Sequence, residues 1–150
     1  MQKERISVLL DTNVLISGLV FERGNEHRIL QLIEQGAIDL VLPETVLIEA
    51  KQVLREKFEG LESLLRLYLD KIDYESVKLH NLMARTERDA GKVRDQKDTS
   101  IYSADLIAKP NYVVTGDLKL RADLIGSIEI SKNTKTCSSR EFLQMWPHSS

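Results

Sequence analysis

The chain has 150 residues, 42% of them hydrophobic and 29% charged, a balance that excludes a disordered polyelectrolyte and leaves enough chain to bury a core. Its apolar runs, such as Val8 to Leu10, are too short to cross a bilayer, and no basic-then-apolar leader precedes them, so no membrane role is expected and the cytoplasm is the expected location. A formal net charge of -2 offers nucleic acid no whole-surface attraction, though it leaves room for a local basic patch.

Gln2 to Arg5 lead into Ile6-Ser7-Val8-Leu9-Leu10, which reads as a strand buried on both faces. A helix is expected from about Asn13 to Val20, a turn at Glu22 to Gly24, and a second helix from Asn25 to Gln35. Ile29, Leu32 and Ile33 form the inner stripe of that helix, and Gly36 stops it. Ile38 to Leu42 reads as the second strand, and Pro43 opens the next helix, where its missing N–H costs nothing. The helical pattern then runs to Lys71 with a break near Gly60, and a further helix is expected over Glu75 to Arg88.

Gly91 to Lys97 reads as a polar loop, Asp98 to Ala108 as a helix, and Tyr112 to Thr115 as a strand. Leu118 to Asp123 suggests a short helix, Ile128 to Ile130 a last strand, and Ser138 to Met145 a closing helix. No repeat or linker divides the chain. Residues 1–150 are therefore expected to form one three-layer α/β domain, a mostly parallel, Rossmann-like sheet flanked by helices.

In such sheets chemistry gathers at the carboxyl ends of the strands. Asp11 follows the run ending at Leu10, and Asp117 follows Val113-Val114-Thr115-Gly116. Each is equally suited to capping the helix after it. Glu49 lies three residues after Val46 and four before Val53, which places it on the inward stripe of its helix, while Glu44 and Glu56 lie away from it. A buried carboxylate needs a partner, either an arginine or a metal. Asp98 opens its helix either as a cap or as a ligand. Asp95, three residues earlier, is a candidate second ligand or a plain loop charge, and Asp105 is a weaker rival two turns on.

Clustered acids repel one another unless a cation neutralises them. The single Cys137 and the scattered His27, His80 and His148 exclude a disulfide and offer no zinc-ligand spacing. An all-oxygen set points to Mg²⁺ or Mn²⁺ and to phosphate chemistry.

Leu10-Asp11-Thr12-Asn13-Val14-Leu15-Ile16-Ser17, Pro43 to Glu49, Asp95-Gln96-Lys97-Asp98 and Tyr112-Val113-Val114-Thr115-Gly116-Asp117 together resemble the ordered motifs of the PIN domain, especially the toxin components of prokaryotic toxin–antitoxin pairs. Arg140 to Leu143 resembles the family's closing helix. The resemblance implies a PIN-like fold and a Mg²⁺- or Mn²⁺-dependent ribonuclease. Asp11, Glu49, Asp98 and Asp117 would be its metal ligands, with Asp95 a further candidate, and Asn13 and Thr115 its polar supports. It also implies a homodimer and an antitoxin protein as partners. The chain departs from the family where a further acid is common in the third segment, since Lys97 and Thr99 stand there.

The basic stretch from Arg85 to Lys97, and Lys132, Lys135 and Arg140, read either as phosphate contacts or as solvated surface. Arg94, Lys97, Lys119 and Arg121 lie nearest the acids and are the candidate RNA contacts. Met145 and Trp146 read as packing residues, and the leucine-rich stretch Leu61 to Leu69 as a helix with apolar groups to spare for a partner. A non-catalytic PIN-like module that binds RNA or protein is the alternative, and retention of all four acids argues against it. A phosphorylated receiver domain would need an aspartate at the end of the second strand, where Pro43 stands.

Overall fold

Val8, Leu9 and Leu10 are fully buried, and with Ser7 they form β1 (Ser7–Leu10) at the centre of the sheet in a computed structural model that describes residues 5–146. Gln2, the start of the expected lead into this strand, and His148 lie outside the described residues. The other strands are β2 (Asp39–Pro43), β3 (Tyr74–Val77), β4 (Tyr112–Val114) and β5 (Lys135–Cys137). They lie in the order β3-β2-β1-β4-β5, and every pairing is parallel. Apolar side chains along β1, β2 and β4 meet covered faces on both sides, as a parallel sheet requires.

The helices are α1 (Thr12–Val20), α2 (Asn25–Glu34), α3 (Glu44–Lys57), α4 (Ser63–Leu69), α5 (Leu79–Asp89), α6 (Thr99–Ala108), α7 (Leu118–Ile125), α8 (Ile128–Ser131) and α9 (Ser139–Met145). Helices α1 to α4 pack against one another and α9 packs on α2, whereas α5 with α6, and α8 with α6 and α7, form a second group. Right-handed crossovers place these groups on opposite faces, because the path moves outward from β1 to β3 and then returns across β1 to β4. That reversal leaves a crevice between the ends of β1 and β4, the topological switch point of the sheet. The result is the expected three-layer α/β fold.

Two expected elements are corrected. The helix expected over Glu75 to Arg88 is an edge strand followed by a helix. Tyr74, Ser76 and Val77 turn toward the protein while Glu75 is exposed, and β3 pairs with β2 from Leu40↔Tyr74 to Pro43↔Val77. Helix α5 starts only at Leu79, whose N–H donates to the Glu44 carboxylate at 2.7 Å. Glu44 is therefore half-buried and engaged rather than turned away.

The strand expected at Ile128 to Ile130 is helix α8. The Ser127 hydroxyl accepts from the Ile130 N–H and caps the turn, and only Ile130 of the three is buried. The last strand is instead Lys135–Cys137, paired to β4. The polar loop before α6 also contains two 3-10 turns, Ala90–Lys92 and Gln96–Asp98. The break near Gly60 falls where φ is +89°, a conformation that favours glycine. Met145 and Trp146 pack against the core.

Candidate metal centre

The crevice at the switch point is a cavity of about 170 Å³ whose wall carries Asp11, Asn13, Glu49, Asp95, Lys97, Asp98 and Asp117. Each acid arrives by a separate local device. Asp11 leaves β1 and caps α1, its Oδ1 accepting from the Val14 N–H at 2.9 Å. Its Oδ2 accepts from the Thr115 hydroxyl. Asp117 caps α7 in the same manner, accepting from the N–H groups of Lys119 and Leu120 at 2.9 and 3.1 Å. Thr115 ties the two together, because its Oγ1 also accepts from the Asp117 N–H at 3.0 Å. Capping and site-building thus coexist at Asp11 and Asp117, since a carboxylate has two oxygens and a cap uses one.

Asp98 is held differently. It immediately precedes α6, but its side chain makes no capping bond. Its Oδ2 is buried without a hydrogen-bond partner. Asp95 accepts from the Lys97 N–H at 3.0 Å, which folds the loop back so that both acids reach the cavity. A buried carboxylate oxygen with nothing to accept from is destabilising unless something positive meets it.

Glu49 lines the cavity but is exposed rather than buried. The true inward stripe of α3 is Val46, Ala50 and Leu54, at strict four-residue spacing. Glu49 sits about 100° from Ala50, at the edge of that stripe, where the helix borders the crevice. Val53, the other member of the stripe expected from spacing, is itself only half-buried.

The charges interact. Burial raises the Asp11 carboxyl above its ordinary value; the Thr115 and Val14 bonds oppose this, and Asp117 and Glu49 add to it. Asp98 is raised to about 6, first by burial and then by repulsion from Asp117, Asp95, Asp11 and Asp123. These groups feel one another as a cluster, the condition that a divalent cation relieves. Among the described residues, no three acidic, histidine or cysteine side chains close on one point tightly enough to hold an ion alone. An ion seated here would keep part of its shell as water, which suits Mg²⁺. The all-oxygen donor set and the unpartnered Asp98 oxygen fit such an ion.

Of the candidate cations, Lys97 lies on the cavity wall and Lys119 is exposed beside Asp117. Arg94 is engaged with Asp123 (2.9 Å) and with the Lys119 carbonyl. Arg121 pairs with Glu141 at 2.7 Å. Asp105 does not reach the cavity: it is buried on the far part of α6, where it accepts from Thr134 at 2.8 Å. Thr45, Ser100 and Ile101 line the cavity as well. What brings them to one wall is that α3 and α6, on opposite faces of the sheet, both begin at its carboxyl edge.

A parallel three-layer α/β domain with an acidic cavity at its switch point is the architecture that the ordered motifs foretold. The chain belongs to the PIN-domain family, whose model matches residues 7–119. PIN domains are generally nucleases and generally use divalent metals. Among solved structures, the fold is similar to VapBC2 from Rickettsia felis, crystallised with a DNA fragment from its promoter. The TM-score is 0.60 at 15% identity, over 87% of this chain and 97% of that one. It is also similar to FitAcB from Neisseria gonorrhoeae, with a TM-score of 0.53 at 18% identity over 89% and 98% of the two chains. No curated protein matches the chain in sequence. No helix among the described residues is long and apolar enough to cross a membrane.

Proposed function

We propose that this chain is a divalent-metal-dependent endoribonuclease and the toxin of a toxin–antitoxin pair. The observation that carries the reading is the convergence of Asp11, Glu49, Asp95, Asp98 and Asp117 on one cavity, with a buried Asp98 oxygen left without a partner. Asp11, Glu49, Asp98 and Asp117 would hold Mg²⁺ or Mn²⁺, and Asp95 supports Asp98. When bound, the ion supplies a positive centre that lowers the cost of charge on a phosphodiester under attack and favours ionisation of water.

The protein's own part is positional. Thr115 fixes Asp11 and Asp117 in register across the crevice, and Asn13 offers a neutral polar group at its mouth. One of the clustered carboxylates takes the proton that the attacking water gives up. Water oxygen bonds to phosphorus, the P–O3′ bond breaks, and a proton ends on the departing 3′ oxygen. The products are a 5′-phosphate and a 3′-hydroxyl.

Lys97 and Lys119 are the RNA contacts best placed beside the acids. Arg94 and Arg121 would have to leave Asp123 and Glu141 to join them. The family resemblance, with the likeness to VapBC2 and FitAcB, supports an antitoxin protein and a homodimer as partners and the cytoplasm as the place of action. The test is cleavage of labelled RNA in Mg²⁺ or Mn²⁺ by the wild type, by Asp11→Asn and by EDTA-treated protein. Cutting by the wild type alone is the expected result. If the wild type cuts no more than Asp11→Asn across several RNAs, the non-catalytic binding module replaces this reading.

A further inference from the structure

A second groove opens beside the acidic cavity and shares Thr45, Glu49, Lys97 and Ser100 with it. Beyond the shared residues its wall carries Thr86, Glu87, Gln96 and Thr99. Two features separate it from a solvated surface. The hydroxyl oxygens of Thr45 and Thr99 are both buried with no hydrogen-bond partner, and Thr99 is 4% exposed. Buried polar groups in folded proteins are nearly always paired, so two orphans on one groove call for an explanation.

The chemistry of the lining narrows the occupant. Lys97 is its one cation, while Glu49 and Glu87 are acids, so a phosphate would face carboxylates on the same wall. Threonine and serine hydroxyls both donate and accept, and a carboxylate such as Glu87 only accepts. A neutral group that is itself both donor and acceptor satisfies them all, and the sugar hydroxyl of a ribonucleotide is such a group. Because the groove shares a wall with the acidic cavity, a strand with one phosphodiester at the acids would lay an adjoining sugar along it.

We infer that this groove seats the ribose of a nucleotide flanking the scissile phosphodiester, with Thr45 and Thr99 reading its 2′-hydroxyl, and that it makes the enzyme prefer RNA to DNA. The inference rests on the nuclease reading for its place in the reaction, and it requires both threonine side chains to rotate about χ1, because their hydroxyls are buried in this structure.

The test uses one RNA oligonucleotide and a set of copies carrying a single 2′-deoxynucleotide at each position around the cut. The wild type is expected to cut one of these copies about tenfold more slowly than the all-RNA strand, the worth of one good hydrogen bond. Thr99→Val and Thr45→Val should each cut all-RNA more slowly and show a smaller deoxy penalty than the wild type, the double variant should show none, and Thr99→Ser should restore the penalty. Losses that simply add in variant and deoxy copy, or equal cutting of all copies by the wild type, overturn the inference while leaving the nuclease intact. If the wild type cuts nothing, the nuclease reading fails, and the groove is judged on affinity for the same oligonucleotides without metal. A ribose preference lost in the double variant of Thr45→Val with Thr99→Val supports it, and equal binding of RNA and deoxy copies by the wild type overturns it.

Discussion

Asp98 and Asp105 stand at the two ends of one helix, and both keep a buried carboxylate oxygen without a partner. Both are raised well above an ordinary carboxyl, to about 6 and about 7. The causes differ. Asp105 is raised by burial alone, opposed only by its bond from Thr134. Asp98 is raised by burial together with four other acids, Asp117, Asp95, Asp11 and Asp123. A carboxyl isolated in apolar surroundings resolves its cost by taking a proton, whereas a carboxyl among carboxylates has a cation as the better answer. Company, rather than burial, separates the acid of a candidate site from an acid of the core.

That contrast can be broken at either end. The largest expected effect is at the cluster. Asp11→Asn keeps the shape and the Val14 cap but removes a charge, and should lower RNA cleavage about a thousandfold, equivalent to about 4 kcal/mol of lost charge stabilisation. Melting of the metal-free variant should hold or rise, because the repulsion from Asp117 and Glu49 is relieved. A variant that melts lower and still cuts would make Asp11 a structural cap only.

Asp105 supplies the matching test. Its folded carboxyl holds a proton more tightly than the unfolded chain does, so its contribution to stability is complete below about pH 4. That contribution is lost as pH rises through about 7. The loss is at most about 4 kcal/mol for a shift of roughly three units. Asp105→Asn should flatten urea-unfolding stability between pH 5 and pH 8 and leave cleavage within about twofold of wild type. An unchanged pH slope would mean that the folded chain does not hold the Asp105 proton more tightly than the unfolded chain.

Metal binding should divide the same pair. At tenfold excess over its dissociation constant, Mg²⁺ should stabilise the wild type by about 1.4 kcal/mol, or about 3–6 °C in melting temperature for a chain of this size. Asp98→Asn should lose most of that shift and Asp105→Asn none of it. Equal shifts in all three proteins would remove Asp98 from the metal.

What the sequence disclosed follows the same division between local and assembled features. The apolar run of β1, the aspartates after β1 and β4, and the Gly36 and Gly60 breaks are local signals, and each lies where it was expected. Spacing alone predicts Glu49 inside, because it is three residues from Val46 and four from Val53. A helix face about 100° wide admits more than one such stripe, and packing on the sheet selected Val46, Ala50 and Leu54. Strands β3 and β5 are hard to read locally because they are only four and three residues long and Glu75, Ser76 and Lys135 break their apolar pattern. They are strands because β2 and β4 offer them a ladder. Thr45 and Thr99 lie far apart in the chain, and they share one groove because α3 and α6 both begin at the carboxyl edge of the sheet.

The smallest expected effect concerns the cations around the cluster, where engagement again decides. Lys97 and Lys119 make no ion pair among the described residues, whereas Arg94 holds Asp123 and Arg121 holds Glu141. A cation that meets a single-stranded phosphate contributes about 0.7 to the slope of log affinity against log salt. Lys97→Ala and Lys119→Ala should each lower the slope of RNA binding by about that amount, with melting unchanged. Arg94→Ala should leave the slope nearly unchanged and lower melting instead, because it removes the guanidinium's bonds to Asp123 and the Lys119 carbonyl and leaves only the backbone N–H of residue 94 to tie the loop to α7. If the arginines set the salt slope and the lysines do not, RNA binding opens both pairs, and the basic groups engaged in this structure become the ones that meet the substrate.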